Sequence, residues 1–350
     1  MALDRWNQVL DRLAAVTGQR DRDSTDAALV TALGELLSAR CVGLYRTVEE
    51  AGDRRWFTRA EWRSGDASAS ASVAGLPIDT LPELASRPGA LEALNRREPV
   101  REAGPPARLA IPLTSGHDQD TVLDITLDAL PGARATALLE GMLRVYLHFL
   151  QLLGDNERDT LTGLLNRKTF DESFYRLAAL TLAGVEDELS VPVDRRQPEV
   201  PKQHYLGVVD IDHFKSVNDR FGHLIGDEVL LLLSRVMRQS FRFDDLLFRF
   251  GGEEFVVLMR CGSDADAGKA FERLRHNVAS HDFPQVGRIT ISVGYTQVGT
   301  GDSPNIAFER ADKAVYWAKG HGRDQVCSHA TLVAEGHLAH ESKVGDVELF

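Results

Sequence analysis

The chain has few cysteines, no long apolar run and no excess of basic residues, and each shortage excludes a class of protein. Its three cysteines, Cys41, Cys261 and Cys327, are widely separated and odd in number, so they predict neither a disulfide framework nor a zinc site. No apolar run approaches the roughly 20 residues that span a bilayer. The first six residues lack the pattern of a signal peptide. We therefore expect a protein of the reducing cytoplasm that does not insert into a membrane.

Acidic residues outnumber basic ones, and the formal net charge is −12 at pH 7. Proteins that bind nucleic acid polymers draw their affinity from basic surface, so this charge argues against such a partner. A nucleotide substrate stays compatible, because a metal ion and a few local cations can neutralise its phosphates. The eleven histidines form no convincing metal-binding pattern, and His337 and His340 are expected to be solvated in a polar tail.

Two common nucleotide-binding fingerprints are also missing from the sequence. No G-x-x-x-x-G-K-[ST] run occurs, which excludes a P-loop kinase or GTPase. The glycine pattern of a Rossmann dehydrogenase is absent as well.

A length of 350 residues, 43% of them hydrophobic, predicts two domains with ordinary cores. Residues 1–133 are predicted to form an α+β domain. Its expected helices cover 3–16, a segment capped by Ser24, and 84–95. Its expected strands cover 41–46, 55–63, 108–113 and 121–128.

Residues 134–158 are predicted to form a helical linker. Leu139, Met142, Tyr146, Phe149 and Leu153 follow a 3-4-3-4 spacing that is typical of a helix pairing with its twin. The alternative is that the helix packs on its own domain.

The second domain is predicted over 159–327. A turn and helix over 161–180 and a long polar loop over 183–203 precede its core, and a tail, 328–350, follows. The core elements are a strand over 206–211, a helix over 226–241, a hairpin around Gly251, a helix over 266–280, a strand over 288–295 and a helix over 304–320. This order predicts a βαββαβ core like the palm of polymerases and nucleotide cyclases.

Two strands of this domain end in carboxylates. The sequence RFGGEEF at residues 249–255 has apolar runs on both sides, which predicts a hairpin with Glu253 and Glu254 at its tip. Asp210 ends a second apolar strand. Either feature alone is also explained by a plain turn, since turns are often acidic or glycine-rich. Together they predict a magnesium site for phosphoryl transfer.

At this point the chain resembles the GGDEF family, the bacterial diguanylate cyclases, over about residues 155–327. Five motifs agree in order, at 159–167, 210–219, 222–227, 249–255 and 311–323. The signature reads GGEEF, in which Glu253 keeps the carboxylate and adds one methylene. The resemblance implies an enzyme that joins two GTP molecules into cyclic di-GMP and releases pyrophosphate.

The resemblance also implies which residues carry the chemistry. Asp210, the carbonyl of Ile211, Glu253 and Glu254 are expected to hold two Mg²⁺ ions per GTP, with Mn²⁺ as a substitute; Asp210, Glu253 and Glu254 are the catalytic acids. Further expected GTP contacts are Gly251, Gly252, Phe214, Lys215, Lys319 and Arg323 at the phosphates and Asn218 and Asp227 at the guanine. Lys319 and Arg323 would share a helical face if the helix continues; read alone, they could equally be a solvated basic face.

A second nucleotide site is implied by Arg242 and Asp245, an R-x-x-D pair six residues before the signature. In the family this spacing marks an inhibitory site for the product, and Arg273 is placed to complete it. Arginine suits such a site because its fork pairs with phosphate and with guanine edges. The alternative is a surface ion pair of little energetic value.

Each domain would hold one GTP, so the resemblance implies a homodimer in which two domains meet. The first domain resembles a GAF sensor module in its paired helices and its strands at 41–45 and 109–113. It would receive an unknown small-molecule or protein signal; the alternative is a dimerisation domain without a ligand. A degenerate, catalytically silent sensor of GTP or cyclic di-GMP is the competing function, but such proteins lose signature residues that are all present here.

Overall fold

The computed structural model describes residues 2–50, 52–71, 78–115, 118–183 and 203–339. The chain divides into two compact units, Met1–Glu157 and Arg158–Phe350. Within the described ranges, none of the helices is both long enough and apolar enough to cross a bilayer. The predicted loop 183–203 and the end of the predicted tail fall mostly outside the described residues.

The first unit is a five-stranded antiparallel sheet with helices. Its strands run in the order β2-β1-β5-β4-β3. The elements are α1 (Ala2–Thr17), α2 (Arg22–Leu37), β1 (Cys41–Glu50), β2 (Asp53–Arg63), α3 (Pro88–Arg96), β3 (Val100–Glu102), β4 (Ala107–Ser115), β5 (Asp118–Leu127) and α4 (Ala133–Glu157). This confirms an α+β arrangement, whereas the likeness to a GAF module stays a prediction.

Two predicted boundaries in this unit were wrong for local reasons. Helix α2 is capped by Asp21 rather than by Ser24, because the Asp21 carboxylate accepts a hydrogen bond from the Ser24 amide at 2.9 Å. The helix predicted over 84–95 is two pieces, a 3₁₀ turn at Leu84–Ser86 and then α3. Pro88 causes the break, since proline suits the first position of a helix and disfavours helical backbone before it.

Helix α4 packs on the core of its own unit. Leu139, Met142 and Tyr146, from the stripe that predicted pairing, are buried there with residues of α1, α2 and the sheet. The Tyr146 hydroxyl donates to Asp26 Oδ1 at 2.5 Å, and Asp26 is ion-paired with Arg59. If α4 pairs with α4 of a second copy of the chain, it must do so through a face other than this buried stripe. The pairing itself stays a prediction.

The second unit contains a six-stranded sheet in the order β11-β10-β7-β9-β8-β6. Its elements are β6 (Leu165–Asn166), α5 (Arg167–Ala183), β7 (Gln203–Ile211), α6 (Phe214–Phe221), α7 (His223–Ser240), β8 (Leu246–Gly251), β9 (Glu254–Cys261), α8 (Asp264–Ser280), β10 (Ile291–Gln297), α9 (Pro304–Gly320), β11 (Val326–Ser328) and α10 (His329–Ala334). The four central strands are antiparallel and ordered β10-β7-β9-β8. This confirms the predicted βαββαβ core.

Alternation along β7 divides this unit into two cores. Tyr205, Val209 and Ile211 pack with α7 and α8, whereas Leu206 and Val208 pack with α5 and α9. By the same alternation Asp210 shares the face of Leu206 and Val208, which is the face covered by α9. The fold thus directs the strand-end carboxylate toward that helix.

Several elements of the second unit differ from the prediction. Helix α6 was not predicted, α7 begins at His223 rather than at 226, and β10 begins at Ile291 rather than at 288. Part of the predicted tail is ordered as α10, which packs through Leu332 against Ala314 and Ala318 of α9.

Candidate active site

Strand β7 and the β8–β9 hairpin place three acids at the same end of the sheet. Asp210 pairs directly with Glu254 in the antiparallel ladder, so their side chains lie on the same face of the sheet. Glu253 precedes Glu254 at the turn, where Gly251 and Gly252 have φ values of 145° and 53°. A side chain at either glycine would be strained in this backbone. The Gly-Gly pair therefore makes the tight turn that sets the two glutamates beside Asp210.

Lysine 319 supplies the positive charge at this cluster. Its Nζ lies 2.6 Å from Oδ1 of Asp210, which is 5% exposed. Burial raises the pKa of Asp210, and the Lys319 ammonium opposes that shift. Burial and the charge of Asp210 likewise raise the pKa values of Glu253 and Glu254. Several acids thus face one ammonium, and the site carries excess negative charge.

The donor set suits a hard divalent cation. Carboxylate oxygens and the backbone carbonyl at the end of β7 are the ligands that Mg²⁺ prefers. Burial and the neighbouring acids raise the pKa values of the three carboxylates, so a cation bound beside them would favour their charged forms. In the described part of the chain, no group of three or more acidic, histidine or cysteine side chains is assembled closely enough to hold a metal ion. The residues therefore fit Mg²⁺ by chemistry, while their side chains are not gathered around one point.

The Arg249 guanidinium connects the Gly-Gly turn to Asp159. Its Nη1 donates to the Asp159 carboxylate at 3.0 and 3.2 Å, and its Nε and Nη2 donate to the Gly252 carbonyl at 3.2 and 2.9 Å. Burial raises the pKa of Asp159, but hydrogen bonds from Thr162 and Arg249 outweigh it and hold that pKa below its ordinary value. The Arg249 guanidinium thus links the Gly252 carbonyl, directly before Glu253, to Asp159 near the start of the second unit.

The predicted guanine readers meet where α6 packs on α7. Asn218 Oδ1 would lie 2.0 Å from a Cβ on Gly226, so only glycine allows this approach. Asp227 follows Gly226 directly and is exposed. Asn218 on α6 and Asp227 on α7 therefore lie where these two helices pack together. Their amide and carboxylate groups are available to a base.

The predicted phosphate contacts are supplied by three different elements. Lys215 is exposed in the first turn of α6, and the amides of Phe214 and Lys215 are among the first N–H groups of that helix, which lack partners inside it. Lys319 lies on α9. A shared helical face for Lys319 and Arg323 was expected only if the helix continued, and it does not: α9 ends at Gly320, and Arg323 lies in a turn with φ 63°.

The predicted inhibitory residues also lie near one another. Asp245 accepts a hydrogen bond from the Arg242 backbone amide at 2.8 Å, which closes the R-x-x-D turn. Arg273 on α8 donates to the Ser240 carbonyl at 2.6 and 3.0 Å, and so caps the end of α7 two residues before Arg242.

The family model described as "Diguanylate cyclase, GGDEF domain" matches residues 156–325. This part of the chain belongs to the GGDEF family. Similar curated proteins include the diguanylate cyclase DgcP of Pseudomonas aeruginosa, 38% identical over 177 residues (48% of this chain, 23% of that one). The response regulator PleD of Caulobacter vibrioides is 43% identical over 178 residues (49% and 36%). The diguanylate cyclase DgcZ of Escherichia coli is 31% identical over 220 residues (62% and 66%).

Among solved structures, the GGDEF domain of DgcB from Caulobacter crescentus in complex with c-di-GMP is 30% identical, with a TM-score of 0.43; the match covers 50% of this chain and 96% of that one. The first relatives are much longer than the matched region, and the chain covers 23% to 37% of their lengths. The family model and the DgcB domain structure both describe the GGDEF domain.

Two acids of the GGDEF domain were not singled out from the sequence. Asp312 on α9 acts on the cluster, where its charge raises the pKa values of Asp210 and Glu254. Asp212 is buried and accepts hydrogen bonds from three groups. Both lie within recognised motifs, but their effects on neighbouring groups become visible only from their contacts in the folded chain.

Proposed function

We propose that the chain is a cytoplasmic diguanylate cyclase that converts two GTP molecules into cyclic di-GMP and two pyrophosphates. The observation that carries the proposal is the pairing of Asp210 with the GGEEF hairpin, beside the Lys319 ammonium, in a GGDEF domain. All signature acids and glycines are present, which argues against the alternative of a catalytically silent nucleotide sensor.

In each of two successive steps, a 3′-oxygen of one GTP bonds to the α-phosphorus of the other. The bond from that phosphorus to the bridging oxygen breaks, pyrophosphate leaves with the electron pair, and the hydroxyl proton passes to a base. Glu254 is our candidate base, because it pairs with Asp210 in the sheet and its carboxylate lies on the same face.

Two Mg²⁺ ions, for which Mn²⁺ could substitute, would be held by Asp210, the Ile211 carbonyl, Glu253 and Glu254. When bound they supply Lewis-acid stabilisation of charge on the attacked phosphate. Lys215, Lys319 and Arg323 neutralise the triphosphate, while Gly251 and Gly252 leave room for it against the backbone. Lys319 already balances part of the charge at Asp210.

Asn218 and Asp227 give the site its base preference. Guanine offers hydrogen-bond donors at N1 and N2 to a carboxylate, whereas adenine would face Asp227 with an acceptor at N1. A site that leaves a polar group unpaired with the wrong base rejects that base strongly. GTP is therefore the expected substrate and ATP is not.

The two GTP molecules would come from two domains, so the active form is a homodimer. We propose that an unknown signal on the first unit, a small molecule or a protein, changes how the two GTP sites meet. The exposed side of α4 is our candidate pairing surface, because Val145 and Leu152 lie seven residues apart and are 37% and 67% exposed.

The test is incubation of the purified full chain with Mg²⁺ and either GTP or ATP, followed by chromatography of the nucleotides. We expect cyclic di-GMP and pyrophosphate from GTP alone, and neither from the Glu253→Gln variant. Measured GTP binding without product, in the full chain and in a forced dimer, would favour the silent sensor. Equal turnover of ATP would contradict the roles of Asn218 and Asp227.

Product inhibition is a separate proposal, carried by the closed Arg242–Asp245 turn next to Arg273. Added cyclic di-GMP is expected to lower the initial rate of the wild type, and Arg242→Ala is expected to weaken product binding about tenfold or more, the loss typical of a charge-assisted contact. Calorimetric titration measures the binding, with Lys269→Ala, an exposed basic residue on the same helix as Arg273, as the control. Unchanged rates and affinity would refute an inhibitory site here.

A further inference from the structure

Asp212 is a buried carboxylate whose two oxygens both accept hydrogen bonds. It lies two residues after Asp210 and is 5% exposed. Ser292 Oγ donates to its Oδ1 at 2.7 Å, and Thr290 Oγ1 donates to its Oδ2 at 2.7 Å. The third donor is the backbone amide of Asp324, at 3.0 Å from Oδ2. With three donors around it, this carboxylate is enclosed and does not itself face a substrate.

The third donor belongs to the turn that carries Arg323. Helix α9 ends at Gly320, and Gly322, Arg323 and Asp324 then have φ values of 110°, 63° and 43°. Two successive non-glycine residues in left-handed backbone are unusual, and they persist only where surrounding contacts hold them. Since no helix positions Arg323, its place depends on what fixes this turn.

Three contacts hold this turn, and the one made by Asp212 comes from the side of the catalytic strand β7. The Arg323 amide donates to the Ala318 carbonyl at 3.0 Å, and Arg275 Nη1 of α8 donates to Asp324 Oδ1 at 2.7 Å. The bond from the Asp324 amide to Asp212 joins the turn to the segment that follows β7. It therefore sets the distance between Arg323 and Asp210.

We propose that Asp212 is a positioning residue for GTP binding, which holds the exposed Arg323 guanidinium at the triphosphate by fixing the Asp324 amide. The inference rests on the proposed function, in which Arg323 contacts the triphosphate. Asp212 acts on the substrate only through that turn, so its effect on affinity should vanish when Arg323 is absent.

The test is a double-mutant cycle in the full chain. Dissociation constants for the α,β-methylene analogue of GTP, which cannot release pyrophosphate, are measured by calorimetry with Mg²⁺. Asp212→Ala and Arg323→Ala are each expected to weaken binding about tenfold or more. The double variant is expected to bind as weakly as Arg323→Ala alone, because a positioning residue adds nothing without the group it positions.

The conservative variant Asp212→Asn separates this role from simple support of the fold. Its amide oxygen can still accept from the Asp324 amide, and the Ser292 hydroxyl can turn to accept from the new amide nitrogen. We therefore expect near wild-type affinity. Asp302→Ala is the matched control: Asp302 holds Arg310 at 3.0 Å and the Gly299 amide at 2.6 Å, away from the turn, so melting temperature should fall with affinity unchanged.

Effects of Asp212→Ala and Arg323→Ala that multiply in the double variant would overturn the inference, and so would unchanged affinity in Asp212→Ala. Asp212→Ser, which keeps a short polar group, replaces Asp212→Ala if that variant does not fold. Failure of the wild type to bind the analogue would instead refute the proposed function, so the two failures are distinguishable.

Discussion

The charged carboxylate of Glu253, which the proposed reaction needs, lowers the stability of the folded protein. Burial, the charge of Asp210 and the charge of Glu254 raise its pKa above the ordinary value of 4.5. The folded protein therefore binds this proton more tightly than the unfolded chain does. The resulting stabilisation is complete below pH 4.5, and it is lost as the pH rises through the folded-state pKa.

Removing this charge should stabilise the protein when magnesium is absent. Glu253→Gln is expected to raise the melting temperature in EDTA at pH 7.5, with the difference shrinking toward pH 4. We expect less than about 1 kcal/mol, because the group is partly exposed and solvent screens its repulsion. Scanning calorimetry measures the shift, and Glu309→Gln, an exposed acid of α9, controls for the change in net charge. A lower melting temperature for Glu253→Gln would contradict the repulsion argument.

Asp210 and the GGEEF acids could be predicted because local patterns reveal them: each lies at or next to the end of a continuous apolar strand, and each lies in a motif. The role of Asp212 could not be predicted in the same way. Its three donors lie 78, 80 and 112 residues away in the sequence, so only the folded chain assembles the group. The role of Arg249 could not be predicted for the same reason, since its partner Asp159 is 90 residues away.

At the scale of elements, strong local signals were read correctly and weak ones were missed. Helix α9 runs over Pro304–Gly320 as predicted, because Ser303 caps it and Pro304 suits its first turn. Helix α6 has only eight residues and starts after the left-handed His213, so its periodicity is too short to detect. The left-handed backbone of Arg323 and Asp324 in the turn after α9 was not predicted, because non-glycine residues seldom adopt it.

The close contact between α9 and β10 positions Lys319. A Cβ at Gly294 would lie 2.2 Å from the Ala311 carbonyl oxygen and 2.4 Å from the Val315 amide nitrogen. Gly294→Ala must therefore push backbone apart, which typically costs about 1–3 kcal/mol or more. We expect a lower melting temperature and reduced synthesis of cyclic di-GMP, since Lys319 would move away from Asp210.

Gly320→Ala provides the matched comparison on the same helix. A Cβ there meets nothing within 4 Å, so stability should not fall. Equal melting temperatures for Gly294→Ala and Gly320→Ala would show that α9 is not held by close packing on β10.

At the scale of the whole molecule, α4 has two apolar sides. Leu139, Met142 and Tyr146 bury one side in the first unit, so the stripe read from the sequence is used inside the chain. Val145 and Leu152 leave a second side in solvent. The sequence could not separate these sides, because both follow a spacing that fits a helix and only the position of the sheet decides which one is covered.

We predict that the second side pairs two copies of the chain. Charge introduced there by Val145→Glu with Leu152→Glu should leave the fold intact, because both side chains are exposed, but should oppose pairing by burying like charges. Light scattering coupled to gel filtration should then report a monomer that binds one GTP and synthesises little cyclic di-GMP. Gln151→Glu, an exposed neighbour on α4, should behave as wild type. A variant that remains a dimer would place the pairing surface elsewhere, and a monomer with full activity would show that two GTP sites need not meet through α4.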